Sequence, residues 1–165
     1  MDLIVDASSI INLHNAQALE LVTTLPNCVL WLSPLVVGEC HPKCAAELLR
    51  LKRAGLLGFV DSDKIPADSF LELVQSHGLG DGETECLALC LTGSYIFCCD
   101  DSKARQTAIA LFGGPRVVGS LRLLKWCVAD SLATAETAFA MYQKMKGAGG
   151  FLPEIQLEWF LDVKL

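Results

Sequence analysis

Short runs of apolar residues alternate along the chain with longer stretches whose apolar side chains recur every three or four positions. Leu3-Ile4-Val5 is the first short run and stops at Asp6. The next covers 28–32, between Pro26-Asn27 and Ser33-Pro34. Others cover 57–60, ending at Asp61, and 95–99, ending at Asp100-Asp101. The last covers 116–118, between Gly113-Gly114-Pro115 and Gly119. These runs are apolar at successive positions, so both faces of an extended segment are apolar. That pattern predicts strands buried in a parallel sheet.

The intervening stretches predict helices. One or two helices are expected over 9–25, and a helical stretch over 35–54 broken or kinked at Pro42. A helix over 66–76 would carry Pro66 at its start, and one over 83–91 would be capped by Asp81. Further helices are expected over 102–112, 120–131, 134–146 and 153–161. Strand and helix in alternation define an α/β fold with three layers, α/β/α, around a mostly parallel sheet. A length of 165 residues suits a single domain, 1–165. The glycine-rich turn and final helix, 147–165, either form a plain helix connection or dock on another protomer.

Composition then narrows the class. Apolar residues make up 52% and charged residues 19%, so a packed core is expected and global disorder is excluded. The mean hydropathy of +0.42 raises a membrane question. No stretch approaches the ~18 uninterrupted apolar residues that a spanning helix needs, so no membrane association is expected. Of the eight cysteines, Cys28, Cys86, Cys90, Cys98, Cys99 and Cys127 lie in apolar runs, as core thiols do. Met1-Asp2-Leu3-Ile4 lacks the basic start and long apolar stretch of a secretory leader. Both observations predict free thiols and a cytoplasmic location.

The net charge is −6. That excludes a binder that holds nucleic-acid phosphates through bulk positive charge, but not an enzyme that meets phosphate through metal ions. The position of the acids therefore matters. In open α/β sheets, ligands bind beyond the carboxyl ends of the strands. Asp6, Asp61 and Asp100 each end a strand run, and Asp101 adjoins. Glu83 and Glu85 open a helix, and Glu39 lies near the start of another. Two carboxylates about 4 Å apart repel by roughly 4 kcal/mol at an effective dielectric near 20. Hard divalent cations with oxygen ligands remove that cost, which points to Mg2+ or Mn2+. Two such ions can activate water and stabilise the leaving oxygen of a phosphodiester. The expected arrangement brings the side-chain oxygens of Asp6, Asp100 and one of Glu83 and Glu85 within reach of one ion. Asp61 is read as a turn residue.

The residues around these acids resemble the motifs of PIN-domain proteins. Val5-Asp6-Ala7-Ser8-Ser9-Ile10-Ile11-Asn12-Leu13 resembles the first motif, a strand ending in Asp ahead of an apolar helix. Leu35-Val36-Val37-Gly38-Glu39 resembles the second, a helix carrying Glu. The stretch from Leu79-Gly80-Asp81-Gly82-Glu83 to Thr84-Glu85-Cys86-Leu87-Ala88-Leu89 is similar to the LGxGExEAIAL stretch of one branch. Cys99-Asp100-Asp101-Ser102-Lys103-Ala104-Arg105 is similar to that branch's strand and DDxxAR. Val117-Val118-Gly119-Ser120-Leu121 resembles its next strand and helix start. The resemblance implies a metal-dependent endoribonuclease, often the toxin of a toxin–antitoxin pair. It implies Asp6, Glu39, Glu85 and Asp100 as catalytic acids, with Asp6, Glu83, Glu85, Asp100 and Asp101 directed at metal. Glu83 and Glu85 sit about 200° apart on a helix, so both cannot aim squarely at one ion. Glu85 is favoured, with Glu83 a second ligand or a capping carboxylate. Asp101 is either a supporting acid or a helix N-terminal acid. Ser8 and Arg105 are candidates for substrate binding, against an N-cap for Ser8 and an Asp101–Arg105 pair for the arginine. The implied partners are an RNA substrate, a second copy in a homodimer, and an antitoxin covering the acidic site.

Other chemistries fit less well. Cys40-His41-Pro42-Lys43-Cys44 offers a zinc pattern without a second ligand pair. An aspartyl-phosphate enzyme would want a second Asp two residues after Asp6, where Ser8 stands. His14, His41 and His77 have no Ser or Cys in a recognisable nucleophile motif. The main alternative is a catalytically silent PIN-like module that binds RNA or protein.

Overall fold

In a computed structural model of the chain, which describes residues 1–61, 65 and 67–162, five parallel strands form one central sheet flanked by helices. The elements run β1 (Asp2–Val5), α1 (Ala7–Asn15), α2 (Leu19–Val22), β2 (Val29–Leu32), α3 (Pro34–Glu39), α4 (Pro42–Arg53) and β3 (Gly58–Phe59). They continue α5 (Ala67–His77), α6 (Asp81–Thr92), β4 (Ile96–Cys98), α7 (Ser102–Phe112) and β5 (Val117–Val118). The chain closes with α8 (Ser120–Ala129), α9 (Ala135–Gly147) and α10 (Glu158–Leu161).

The sheet order is β3-β2-β1-β4-β5. Leu3 pairs with Leu30 on one side and Ile96 on the other. Leu3, Ile4 and Val5 are wholly buried, so both faces of the central strand are covered, as the continuous apolar run predicts. Each such side chain contributes about 1.5–3 kcal/mol through burial. After β1 the chain builds outward through β2 and β3, then returns to lay β4 on the opposite side of β1. The carboxyl ends of β1 and β4 thus flank the switch point where α/β sheets open a crevice.

Local sequence sets the helix boundaries. Asp6 caps α1, Ser33 caps α3 ahead of Pro34, and His41 caps α4 ahead of Pro42. The expected break at Pro42 is therefore a clean division into two helices. Pro66 lies outside the described residues. Asp81 is not the cap of α6: Gly80 is, and the Glu83 carboxylate accepts the Gly80 N–H at 3.0 Å.

The last helix is shorter than the expected 153–161. Tyr142 donates to the carbonyl of Pro153, and the N–H of Ile155 donates to the Tyr142 hydroxyl. These bonds strap the segment before α10 onto α9 in a non-helical form. Lys146 also pairs with Glu154. Leu152 and Phe160 are buried in the same core, and the Lys125 ammonium lies 4.5 Å from the centre of the Trp159 ring. The 147–162 segment thus packs on its own chain.

Candidate functional site

Asp6 leaves β1 at its carboxyl end and turns the chain into α1. Its Oδ2 accepts from the Ser8 N–H at 3.0 Å and the Ser8 hydroxyl at 2.6 Å. The Cys99 thiol also points at Oδ2, at 3.3 Å. Its Oδ1 is buried and has no hydrogen-bond donor, the one carboxylate oxygen in that condition among the described residues. A buried anionic oxygen without a donor is costly unless a cation satisfies it.

Ser8 is not the N-cap of α1, which is Asp6. Its hydroxyl accepts from the backbone N–H groups of Asp100 at 3.0 Å and Asp101 at 3.3 Å. It therefore ties the end of β1 to the end of β4, setting Asp6 beside the Asp100-Asp101 turn. Asp101 caps α7 by accepting the Ala104 N–H at 2.8 Å, so its helix-end reading holds.

Asp100 is held from two sides. Oδ1 accepts the Ser120 N–H at 2.8 Å, at the start of α8. Oδ2 accepts from the Asn12 amide at 2.7 Å. The helix N-terminus and the amide together fix the orientation of this carboxyl group. Gly119 permits this approach, because a Cβ at that position would lie 2.6 Å from Asp100 Oδ1. Arg105 does not pair with Asp101. Its Nη1 donates to the carbonyls of Cys99, at 2.8 Å, and Val118, binding the ends of β4 and β5 together.

Glu39 and Glu83 lie on α3 and α6, near enough to Asp6 for its charge to act on both. Glu39 ends α3 and accepts the Gly82 N–H at 3.1 Å. Partial burial pushes its carboxyl above the usual range, and the negative charges of Asp6, Asp81 and Glu85 add to the shift. Burial pushes Glu83 up as well, with Asp6, Asp101 and Glu39 adding to it. Glu85 has another setting. It is 3% exposed and accepts the Leu35 N–H at 3.2 Å, joining α6 to the first turn of α3. Asp61 is exposed beyond β3, at the sheet edge and two strands from Asp6.

Among the described residues, no three His, Cys, Asp or Glu side chains are gathered tightly enough to hold a metal. The expected convergence of Asp6, Asp100 and a helix glutamate around one point is therefore not formed: Asp100 is drawn toward α8 and Asn12. The donor set still suits a hard cation, since the carboxylates supply only oxygen and Asp6 Oδ1 lacks a partner. The zinc reading of 40–44 gains no support. The Cys40 thiol donates to the Val36 carbonyl at 3.3 Å, and His41 is spent on capping α4.

Asn12, Gly119 and Gly82 went unread in the sequence. Asn12 carried a signal: it is a polar residue inside the apolar stretch Ile10-Ile11-Asn12-Leu13, and it is buried. A buried amide needs a partner, which here is Asp100.

The fold and these motifs find one counterpart. The chain belongs to the PIN-domain family: the DUF3368 family model, described as a PIN domain, matches residues 2–162. No curated protein and no solved structure matches the chain.

Proposed function

We propose that the chain is an endoribonuclease that hydrolyses RNA phosphodiesters with Mg2+ or Mn2+. The observation that carries this reading is the buried, partnerless Oδ1 of Asp6 at the β1/β4 switch point. Asp6 would hold the ion with Glu39 and a glutamate of α6, and Asp100 would complete the set on leaving its present donors. Glu83 and Glu85 both stand as helix acids, since each has one carboxylate oxygen accepting a backbone N–H, Glu83 from Gly80 and Glu85 from Leu35. Bound there, the ion would supply an activated water and charge neutralisation at the phosphate. Ser8 keeps Asp6 and the Asp100-Asp101 turn in register, and the Ser120 N–H at the start of α8 holds Asp100 in place. Family membership supports the nuclease class. A toxin role opposed by an antitoxin, a homodimer and a cytoplasmic location belong to the same proposal.

A second reading has its own support. Both oxygens of Asp100 are already occupied, which suits a silent module that binds RNA or protein. Fluorescent RNA incubated with Mn2+ separates the two. Cleavage should appear in the wild type and fall at least about a hundredfold in Asp6→Asn and Asp100→Asn, as loss of metal-held charge stabilisation implies. Calorimetry should show Mn2+ binding that Asp6→Asn removes. No cleavage, or equal cleavage in all forms, would overturn the nuclease reading.

A further inference from the structure

Two surface depressions meet beside Asp100. One, of about 180 Å³, includes Ser8, Asn12, Asp100, Asp101 and Phe151. The other, of about 240 Å³, includes Asp100, Arg105, Arg122, Trp159 and again Phe151. Asp100 and Phe151 line both, so the two depressions adjoin at these residues.

Phe151 is 97% exposed, although the residues around it are firmly placed. Gly150 on one side donates to the Met145 carbonyl at 3.0 Å. A Cβ at Gly150 would lie 2.6 Å from Asn12 Oδ1, so this turn is pressed against the amide that holds Asp100. Leu152 on the other side is buried in the core. The ring therefore stands out from an anchored backbone, so meeting a ligand costs only its own rotamer freedom. Arg122 lines the second depression with Phe151, and its guanidinium makes no hydrogen bond or ion pair among the described residues. An exposed flat ring beside an uncommitted cation matches single-stranded nucleic acid: bases stack on aromatic faces and phosphates follow positive charge. A protein partner is less favoured, because the two depressions are lined by Asp100 and Asp101 of the acidic site together with Arg105 and Arg122.

Resting on the nuclease reading, we infer that Phe151 is a stacking platform for an unpaired RNA base next to the scissile phosphate, with Arg122 contacting the neighbouring backbone phosphate.

The test uses the full chain and a fluorescein-labelled eight-nucleotide adenosine RNA, in an Asp6→Asn background that leaves the RNA intact. Phe151→Ala should weaken binding roughly tenfold, the loss expected for one stacked base. Phe151→Trp should bind at least as tightly as Phe151. Arg122→Ala should lower the dependence of log affinity on log salt by about 0.7, the value of one single-strand phosphate contact. In the active background, Phe151→Ala should raise KM with kcat little changed. Unchanged RNA affinity in Phe151→Ala, while the wild type still cleaves RNA, overturns the platform and leaves the nuclease reading intact. Unchanged affinity with an altered sedimentation coefficient overturns it in favour of a protein interface. Absence of RNA cleavage by the wild type overturns the nuclease reading itself, whatever the binding.

Discussion

At the scale of single residues, the site is organised by a hydroxyl and charged by carboxylates that dislike their surroundings. Ser8 gives one hydrogen bond to Asp6 and takes two from the Asp100-Asp101 turn. Glu39 and Glu83 then face charges of their own sign, and both have raised proton affinity. The folded protein holds their protons to higher pH than the unfolded chain does, so their contribution to stability is full below about pH 4.5. It is lost as pH rises through their folded values. In EDTA, the thermal midpoint of the wild type should therefore drop further between pH 4.5 and 7 than that of a Glu39→Gln, Glu83→Gln double variant. Millimolar Mn2+ should restore the wild type at pH 7 and leave the double variant nearly unmoved. Parallel pH profiles for the two proteins would show that these carboxyls are not strained. The acids were legible in the sequence because each sits at a strand or helix end. Their partners were less so, since an asparagine twelve residues into the chain says nothing about an aspartate at 100 until β1 and β4 are paired.

At the scale of elements, two glycines do opposite jobs, and alanine separates them. A Cβ at Gly119 would press on Asp100 Oδ1 at 2.6 Å and Arg105 Nη1 at 3.1 Å. Both groups are pinned, one to α8 and Asn12, the other to carbonyls of β4 and β5. Gly119→Ala should cost about 1–3 kcal/mol in urea unfolding, the range for overpacking a rigid site, and should also lower cleavage. A Cβ at Gly82 would meet Glu39 Oε1 at 2.5 Å. That carboxylate is the end of a flexible, largely exposed side chain and can swing aside. Alanine also favours a helix over glycine by roughly 0.5–1 kcal/mol. Gly82→Ala should leave stability unchanged or raised while cleavage falls, because Glu39 is driven from the crevice. Equal effects of the two changes on unfolding would refute this division. Strand and helix positions were readable from apolar spacing alone, and α7 matches its expected limits. The end of the chain was not, because a tyrosine hydroxyl on α9, rather than local propensity, decides that Pro153 and Ile155 stay out of a helix.

At the scale of the whole molecule, the apolar excess and the eight cysteines describe one property. Continuous apolar runs became strands covered on both faces, and the thiols fill the gaps between sheet and helices. All are free, and all but the half-buried Cys28 are buried. Burial raises Cys90 and Cys127 to about 12, and it pushes Cys86, Cys98 and Cys99 up as well. Thiolate fraction and access together control alkylation. Brief iodoacetamide treatment of the native protein at pH 8, read by peptide mass spectrometry, should therefore mark the half-buried Cys28 well ahead of the rest. All eight should react at similar rates in guanidinium. The Cys99 thiol bears on the site directly, because it donates to Asp6 Oδ2 only while protonated. Native labelling of Cys86 or Cys98 as fast as Cys28 would mean that the sheet opens readily. The packing that keeps β1 beside β4, and so Asp6 beside Asp100, would then be looser than the buried strands require.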